Sequence, residues 1–293
     1  MYKQMENNKN TKYLIPASII LSTIIVVYAW TNGNQKLVPS SKNNNESSQI
    51  ANQTIELPIV WGNLGAQMIN AGVIDRPQFE ALYQSRGGLN DSDKRLLEDF
   101  QSGNLKVNQE NAGLLLNLLW AFGLGNKNEI LEKGPMADPQ YGSPAQFAST
   151  GGWTLAKGDT MNHYSKHLFV VLTPQQQALV EQVSKNIYRP CCNNSTYFPD
   201  CNHGMAMLGL LELLASQNAS EDQMYQVALQ MNSFWFPDQY ATIAKYFGNK
   251  GLKLQDVGPK EILGINYSSA SGYTKVESSL PREQNQGGGS CGV

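Results

Sequence analysis

The stretch "YLIPASIILSTIIVVYAW", Tyr13 to Trp30, limits what this chain can become more than any other, because it is eighteen residues long and carries no charge. As a helix it is just long enough to cross a hydrocarbon core of about 30 Å. Tyr13, Tyr28 and Trp30 stand near its ends, where aromatic side chains meet the membrane–water boundary. Pro16 falls in the first turn, where proline costs little. A small-residue cleavage site is poorly formed, since Tyr28 and Trp30 flank Ala29, so an uncleaved signal anchor is expected over a removed signal peptide. No cysteine follows the segment closely enough for lipid attachment. Lys3, Lys9 and Lys12 outweigh Glu6 on the N-terminal flank. The predicted topology is therefore single-pass in the cell membrane, with residues 1–12 cytoplasmic and the C-terminal domain outside the cytoplasm. Thiols there meet an oxidising environment.

Residues 31–56, "TNGNQKLVPSSKNNNESSQIANQTIE", are rich in Asn, Ser and Gln and read as a flexible linker. From Leu57 the pattern turns helical, and one mainly α-helical domain of orthogonally packed short helices with long loops is expected over 57–275. Within it, Asp75 is a candidate N-cap. "ENAGLLLNLLWAFGLG" is apolar, interrupted by Asn117, and too short for a second span, so it reads as a central core helix. Thr173-Pro174-Gln175-Gln176 and Ser220 with Gln223 carry capping-box signatures. "HLFVVLT", 167–173, is the best strand candidate. The segment 134–155 reads as a long loop rich in Pro, Gly and Ser, of a kind often tied to function. Residues 276–293 form a Gly-rich tail ending near Cys291.

Charge and motifs exclude several functions. The formal net charge is −2 with no basic patch, so nucleic-acid binding has no electrostatic support. Walker, dinucleotide-binding, CxxCH and CxxC motifs are absent, and Tyr164 stands where a zinc protease of the HExxH type needs glutamate.

The chemistry-bearing residues are crowded. Of four cysteines and three histidines, six fall between His163 and His203. "RPCCNNSTYFPDCNHGMAM" holds Cys191, Cys192, Cys201 and His203. Asp200 is a natural N-cap for the apolar helix that follows. Cys201 would then lie in its first turn, where backbone N–H groups and the helix dipole favour thiolate, against the opposing charge of Asp200. Thiolates with an imidazole suit a tetrahedral zinc or a soft copper site. Met205 and Met207 have the spacing of core residues. His163 and His167, four apart, would share one face if their segment were helical and could join the site. Cys291 would be a mobile fourth ligand or a resolving thiol.

The Gly287-Gly288-Gly289-Ser290-Cys291-Gly292 end resembles, in design, the flexible C-terminal thiol arms of mercuric reductases and large thioredoxin reductases. Those arms carry a pair of redox or metal-binding groups, whereas one cysteine stands here. The leading expectation is a membrane-anchored, extracytoplasmic helical protein with a Cys/His site for zinc- or copper-type metal or for thiol redox chemistry. Two alternatives remain open: a disulfide-stapled binding module without catalysis, and an enzyme with Cys201 as nucleophile and His163, His167 or His203 as base.

Overall fold

Two helices that are apolar on nearly every side have only the centre of a domain to occupy. In the computed structural model, which describes residues 54–281, that is where they lie. The predicted anchor, most of the linker, and the tail from residue 282 with Cys291 fall outside the described residues. Among the described residues no helix is long and apolar enough to cross a membrane.

The described chain is mainly helical, with one two-stranded sheet. Strand β1 (Ile55–Gly62) is followed by α1 (Leu64–Ala71), α2 (Arg76–Gln84), α3 (Asp91–Glu98) and β2 (Gln101–Val107). The centre is α4 (Ala112–Gly125), followed by two short helices, α5 (Glu129–Lys133) and α6 (Ala148–Gly151). Next come α7 (Pro174–Ser184), the second central helix α8 (Asn202–Ser216), α9 (Glu221–Trp235) and α10 (Pro237–Asn249). The described part ends with α11 (Pro259–Ile262), α12 (Ile265–Ser268) and α13 (Ala270–Ser279).

Helices α4 and α8 cross backbone to backbone at a pair of glycines. A methyl group on Gly209 would stand 2.6 Å from the Leu119 carbonyl oxygen and 2.8 Å from the Gly123 nitrogen. No residue with a side chain allows that approach without displacement. Around the crossing pack Leu115, Leu118, Leu119 and Phe122 from α4 and Met205, Leu208 and Leu211 from α8, all fully buried. Met205 and Met207 thus belong to the core. A smaller apolar cluster of Phe236, Tyr240, Ile243, Phe247, Ile262 and Val276 joins α10 to α11 and α13.

Local signals place the helix starts. The Asp75 carboxylate accepts the Gln78 N–H at the start of α2. Complete capping boxes open α7 (Thr173 with Gln176) and α9 (Ser220 with Gln223). Asn117 on α4 donates to the Tyr83 hydroxyl at 2.8 Å.

Several expectations need correction. The sheet was not foreseen: β1 begins at Ile55, inside the segment read as linker. Leu57, Ile59 and Trp61 alternate inward on it. Pro58 faces solvent beside a register irregularity, the kind of position where a strand tolerates proline. Strand β2 has only Leu105 and Val107 buried and is held by antiparallel pairing with β1. "HLFVVLT" is not a strand: beyond one bridge from His167 to Asn126 it runs as a loop, with Leu168 and Val171 about two-thirds exposed. The 134–155 segment is not structureless, because Pro135, Pro139 and Pro144 each open a 3-10 turn before α6. Helix α7 ends at Ser184, and α13 continues to Ser279, into the segment read as tail.

Candidate three-thiol site

The loop between α7 and α8 is built around one buried cation. Between Lys185 and Lys245 the sequence has a single Lys or Arg, and it is Arg189, 1% exposed. Its fork satisfies the whole turn: Nε–H donates to the Cys201 sulfur at 3.0 Å and one terminal nitrogen to the Asn194 carbonyl at 3.0 Å. The other terminal nitrogen donates to the Phe198 carbonyl at 3.3 Å and to the Asp200 carboxylate at 2.8 Å. Asn194 also donates to Asp200 at 2.9 Å. Gly204, in the first turn of α8, leaves room for the guanidinium. A methyl group there would lie 2.5 Å from its central carbon and 3.0 Å from Nε. A buried charge is tolerated only when paired and hydrogen-bonded, and Arg189 meets both conditions.

Further backbone bonds fix the loop to the domain. Ser149 N–H donates to the Asp200 carbonyl, and Ala270 N–H to the Cys192 carbonyl, at 3.1 and 2.9 Å. Ser271 N–H donates to the Asn193 side chain at 2.8 Å. Asp200 was expected to cap α8. Its carboxylate is instead held by Arg189 and Asn194, and Cys201 takes the cap position in extended backbone without a side-chain capping bond.

This frame brings three free thiols together. The sulfurs of Cys191, Cys192 and Cys201 all lie within 4.8 Å of one another, a group that could hold a metal ion. Cys191 is exposed, the other two are half-buried, and the Cys191 and Cys201 sulfurs are 3.7 Å apart. Cys201 is held far below the usual thiol value. Hydrogen bonds from Cys191 and then Cys192 lower it most, burial opposes them, and the Arg189 charge adds to the fall. Cys191 is pushed up, by its hydrogen bonds to Cys192 and Cys201 and by burial. For Cys192 the contact with Cys191 lowers the value, but Cys201 and burial outweigh it and the thiol is raised. Of the three sulfurs, Cys201 is the one whose thiolate form its neighbours favour, through two thiols and a guanidinium.

The histidines lie apart from the thiols. The His203 ring, although on the first turn of α8, packs on Phe236 and Trp235, with centroids 4.5 and 6.0 Å away. Burial lowers its pKa, and the nearby Cys201 charge only partly opposes this. That ring is not part of the group of ligand atoms lying within 4.8 Å of one another. His163 and His167 face each other in a turn, not on a helix. Their nitrogens are 3.1 Å apart, and His163 Nε2–H donates to the Lys157 carbonyl at 3.0 Å. Ser165 between them takes a left-handed conformation, φ 53°. His167 stacks on Phe169, and its pKa is lowered by burial and then by His163. The expected Cys–His ligand set is therefore a sulfur set among the described residues. A surface hollow of about 510 Å³, lined by Glu132, Asp138, Tyr141 and Tyr197 among others, holds none of the cysteines.

Two important residues were not anticipated. Arg189 was legible as the lone cation of a cysteine-rich stretch that contains a single acid, Asp200. Glu212, fully buried on α8, is the other. It accepts from Asn126 at 2.5 Å, and burial pushes its carboxyl well above the usual value against the pull of Asn126 and Asn128. Nothing in an apolar helix pattern marks such a residue beyond its being the one charge there.

No family model, curated protein or solved structure matches the chain.

Proposed function

We propose that this protein holds a soft metal ion on Cys191, Cys192 and Cys201, in a domain tethered to the membrane and facing away from the cytoplasm. The observation that carries the metal reading is the gathering of three sulfurs within 4.8 Å around a cysteine already poised as thiolate. Metal binding needs deprotonated sulfur, and Arg189 supplies the charge that stabilises it. Zinc- and copper-type ions suit such donors. Cys191, exposed, is the side from which an ion or a fourth ligand arrives. Cys291 on its Gly-rich tail is the candidate for that ligand. The uncharged Tyr13–Trp30 segment and its N-terminal lysines support the tether and its orientation.

Elemental analysis of full-length protein purified without chelator, with a parallel thiol count, tests the reading. Stoichiometric metal should be lost in Cys201→Ser and reduced in Cys192→Ser. Wild-type protein that carries no metal, and takes none up when offered zinc or copper under reducing conditions, would overturn it. Protease added outside intact cells or spheroplasts should cleave the domain. Protection until lysis would reverse the topology.

A second reading, thiol–disulfide exchange, draws on the 3.7 Å separation of the Cys191 and Cys201 sulfurs. The Cys201 thiolate attacks a partner's disulfide, releasing one thiolate and forming a mixed disulfide. Cys191, losing its proton, then attacks the Cys201 sulfur and releases the second. The partner leaves with two thiols, and the protein keeps the Cys191–Cys201 disulfide. Loss of partner-disulfide reduction in both Cys191→Ser and Cys201→Ser, with metal content at zero, would favour this reading over the first.

A further inference from the structure

Metal sites are usually described by their ligands, but here a non-ligand sits within bonding distance of one. Arg189 Nε lies 3.0 Å from the Cys201 sulfur. With a metal–sulfur bond of about 2.3 Å, any ion on Cys201 is at most about 5.3 Å from that nitrogen. The guanidinium cannot withdraw. Four hydrogen bonds hold it, it is 1% exposed, and the absent side chain of Gly204 is the space it fills. Asp200 neutralises part of its charge at the terminal nitrogen and also stands 4.0 Å from the Cys192 sulfur, while the Nε edge faces Cys201, so the uncompensated part of the positive charge is directed at the Cys201 side of the cluster. These bonds tie the loop together around the guanidinium. The described donors are sulfur only, with no imidazole or carboxylate completing the group within 4.8 Å.

We propose that Arg189 is a specificity-determining residue that biases the three-cysteine site toward a monovalent soft cation, Cu(I), and against divalent Zn(II). The proposal rests on the metal-binding reading above. A fixed positive charge repels a divalent ion with twice the energy it exerts on a monovalent one. At about 5 Å and an effective dielectric near 20, the second charge is worth roughly a two-hundredfold difference in affinity. Screening at the exposed Cys191 side reduces this, so roughly ten- to two-hundredfold is expected. Thiolates alone suit both ions, but structural zinc sites almost always take four ligands, whereas Cu(I) is satisfied by two or three sulfurs, the number gathered here.

The test uses reduced full-length protein under anaerobic conditions. Cu(I) affinity is read by competition with bathocuproine disulfonate and Zn(II) affinity with a chromogenic zinc chelator. The quantity of interest is the Zn(II)/Cu(I) affinity ratio. A change in the basicity of Cys201 alters both affinities, so the ratio isolates the charge on the ion. In Arg189→Gln the ratio should rise at least tenfold, and in Arg189→Lys it should stay within about threefold of wild type. Asp200→Asn, which keeps shape but strips the counter-charge, should lower the ratio several-fold. It decides the matter if Arg189→Gln fails to fold. Unchanged ratios in Arg189→Gln or Asp200→Asn, or wild-type protein that binds Zn(II) more tightly than Cu(I), would overturn the selectivity proposal while leaving metal binding intact. No cysteine-dependent binding of either ion would overturn both.

Discussion

Replacing Gly204 by alanine sets helix propensity directly against the site. Gly204 lies inside α8, and exchange of a helical glycine for alanine by itself adds about 1 kcal/mol of stability. The structure demands the opposite sign. The new methyl carbon would stand 2.5 Å from the Arg189 central carbon and 3.0 Å from Nε. Ordinary carbon contacts begin near 3.5 Å, so the guanidinium must retreat by about 1 Å. It has nowhere to go, since Cys201, Asn194, Phe198 and Asp200 hold it on its polar edges. Overpacking of this kind costs about 1–3 kcal/mol, and a buried ion pair broken on one side about 3–5 kcal/mol. After subtraction of the propensity gain, Gly204→Ala should lose roughly 2–4 kcal/mol if the ion pair gives way, and about 0–2 kcal/mol if only the packing does. Urea unfolding of reduced, metal-free protein measures this. A second readout follows the chemistry: as Arg189 withdraws, the Cys201 thiol should titrate at higher pH, and its alkylation by iodoacetamide near pH 6 should slow. A Gly204→Ala protein more stable than wild type, with an unchanged alkylation profile, would refute the reasoning that Arg189 is wedged against this glycine.

Glu212 predicts a pH dependence. Its folded value is raised above the usual 4.5, so the native state keeps a proton that the unfolded chain releases. Its contribution is therefore complete below about pH 4.5 and falls as pH rises toward the folded value, by up to about 1.4 kcal/mol per pH unit. Glu212→Gln should flatten that slope in urea melts from pH 4 to 8, and a slope unchanged from wild type would contradict a protonated Glu212. Mild oxidation should trap Cys191 with Cys201, the pair 3.7 Å apart, and peptide mapping that instead finds Cys192 linked to Cys291 would contradict the geometry. Gly209→Ala should cost more than 1 kcal/mol despite better helix propensity, because its methyl would meet the Leu119 carbonyl. A thermal melt at or above the wild-type midpoint would show that the helices separate easily.

What the sequence disclosed was local. Capping boxes at Thr173 and Ser220, the Asp75 cap and the apolar runs that become α4 and α8 all depend on neighbours within a few residues, and each is found where it was expected. What it concealed depends on distant partners. β2 is polar and exists because β1 pairs with it, and β1 carries a proline that argues against a strand. The cysteines announced themselves by crowding, but their arrangement follows from Arg189, whose role appears only when the loop closes around it. Asp200 looks like a helix cap in sequence, and a cation eleven residues earlier claims it first. His203 has the right spacing for a ligand and the wrong neighbours, since Trp235 and Phe236 come from beyond the next turn of chain.

The glycine crossing of α4 and α8 has a mechanical result for the thiols. With Gly209 set against Gly123, α8 cannot slide along or roll on α4 without driving backbone into backbone. Cys201 lies eight residues before Gly209, about 12 Å along the axis, and inherits that immobility. Cys191 and Cys192 ride on a turn held by hydrogen bonds and the Arg189–Asp200 ion pair, with no such backbone contact beneath it. The site therefore works like a vice with one jaw cast into the frame. Closure of the sulfurs on an ion, or of one sulfur on another, should displace the 191–192 turn more than Cys201.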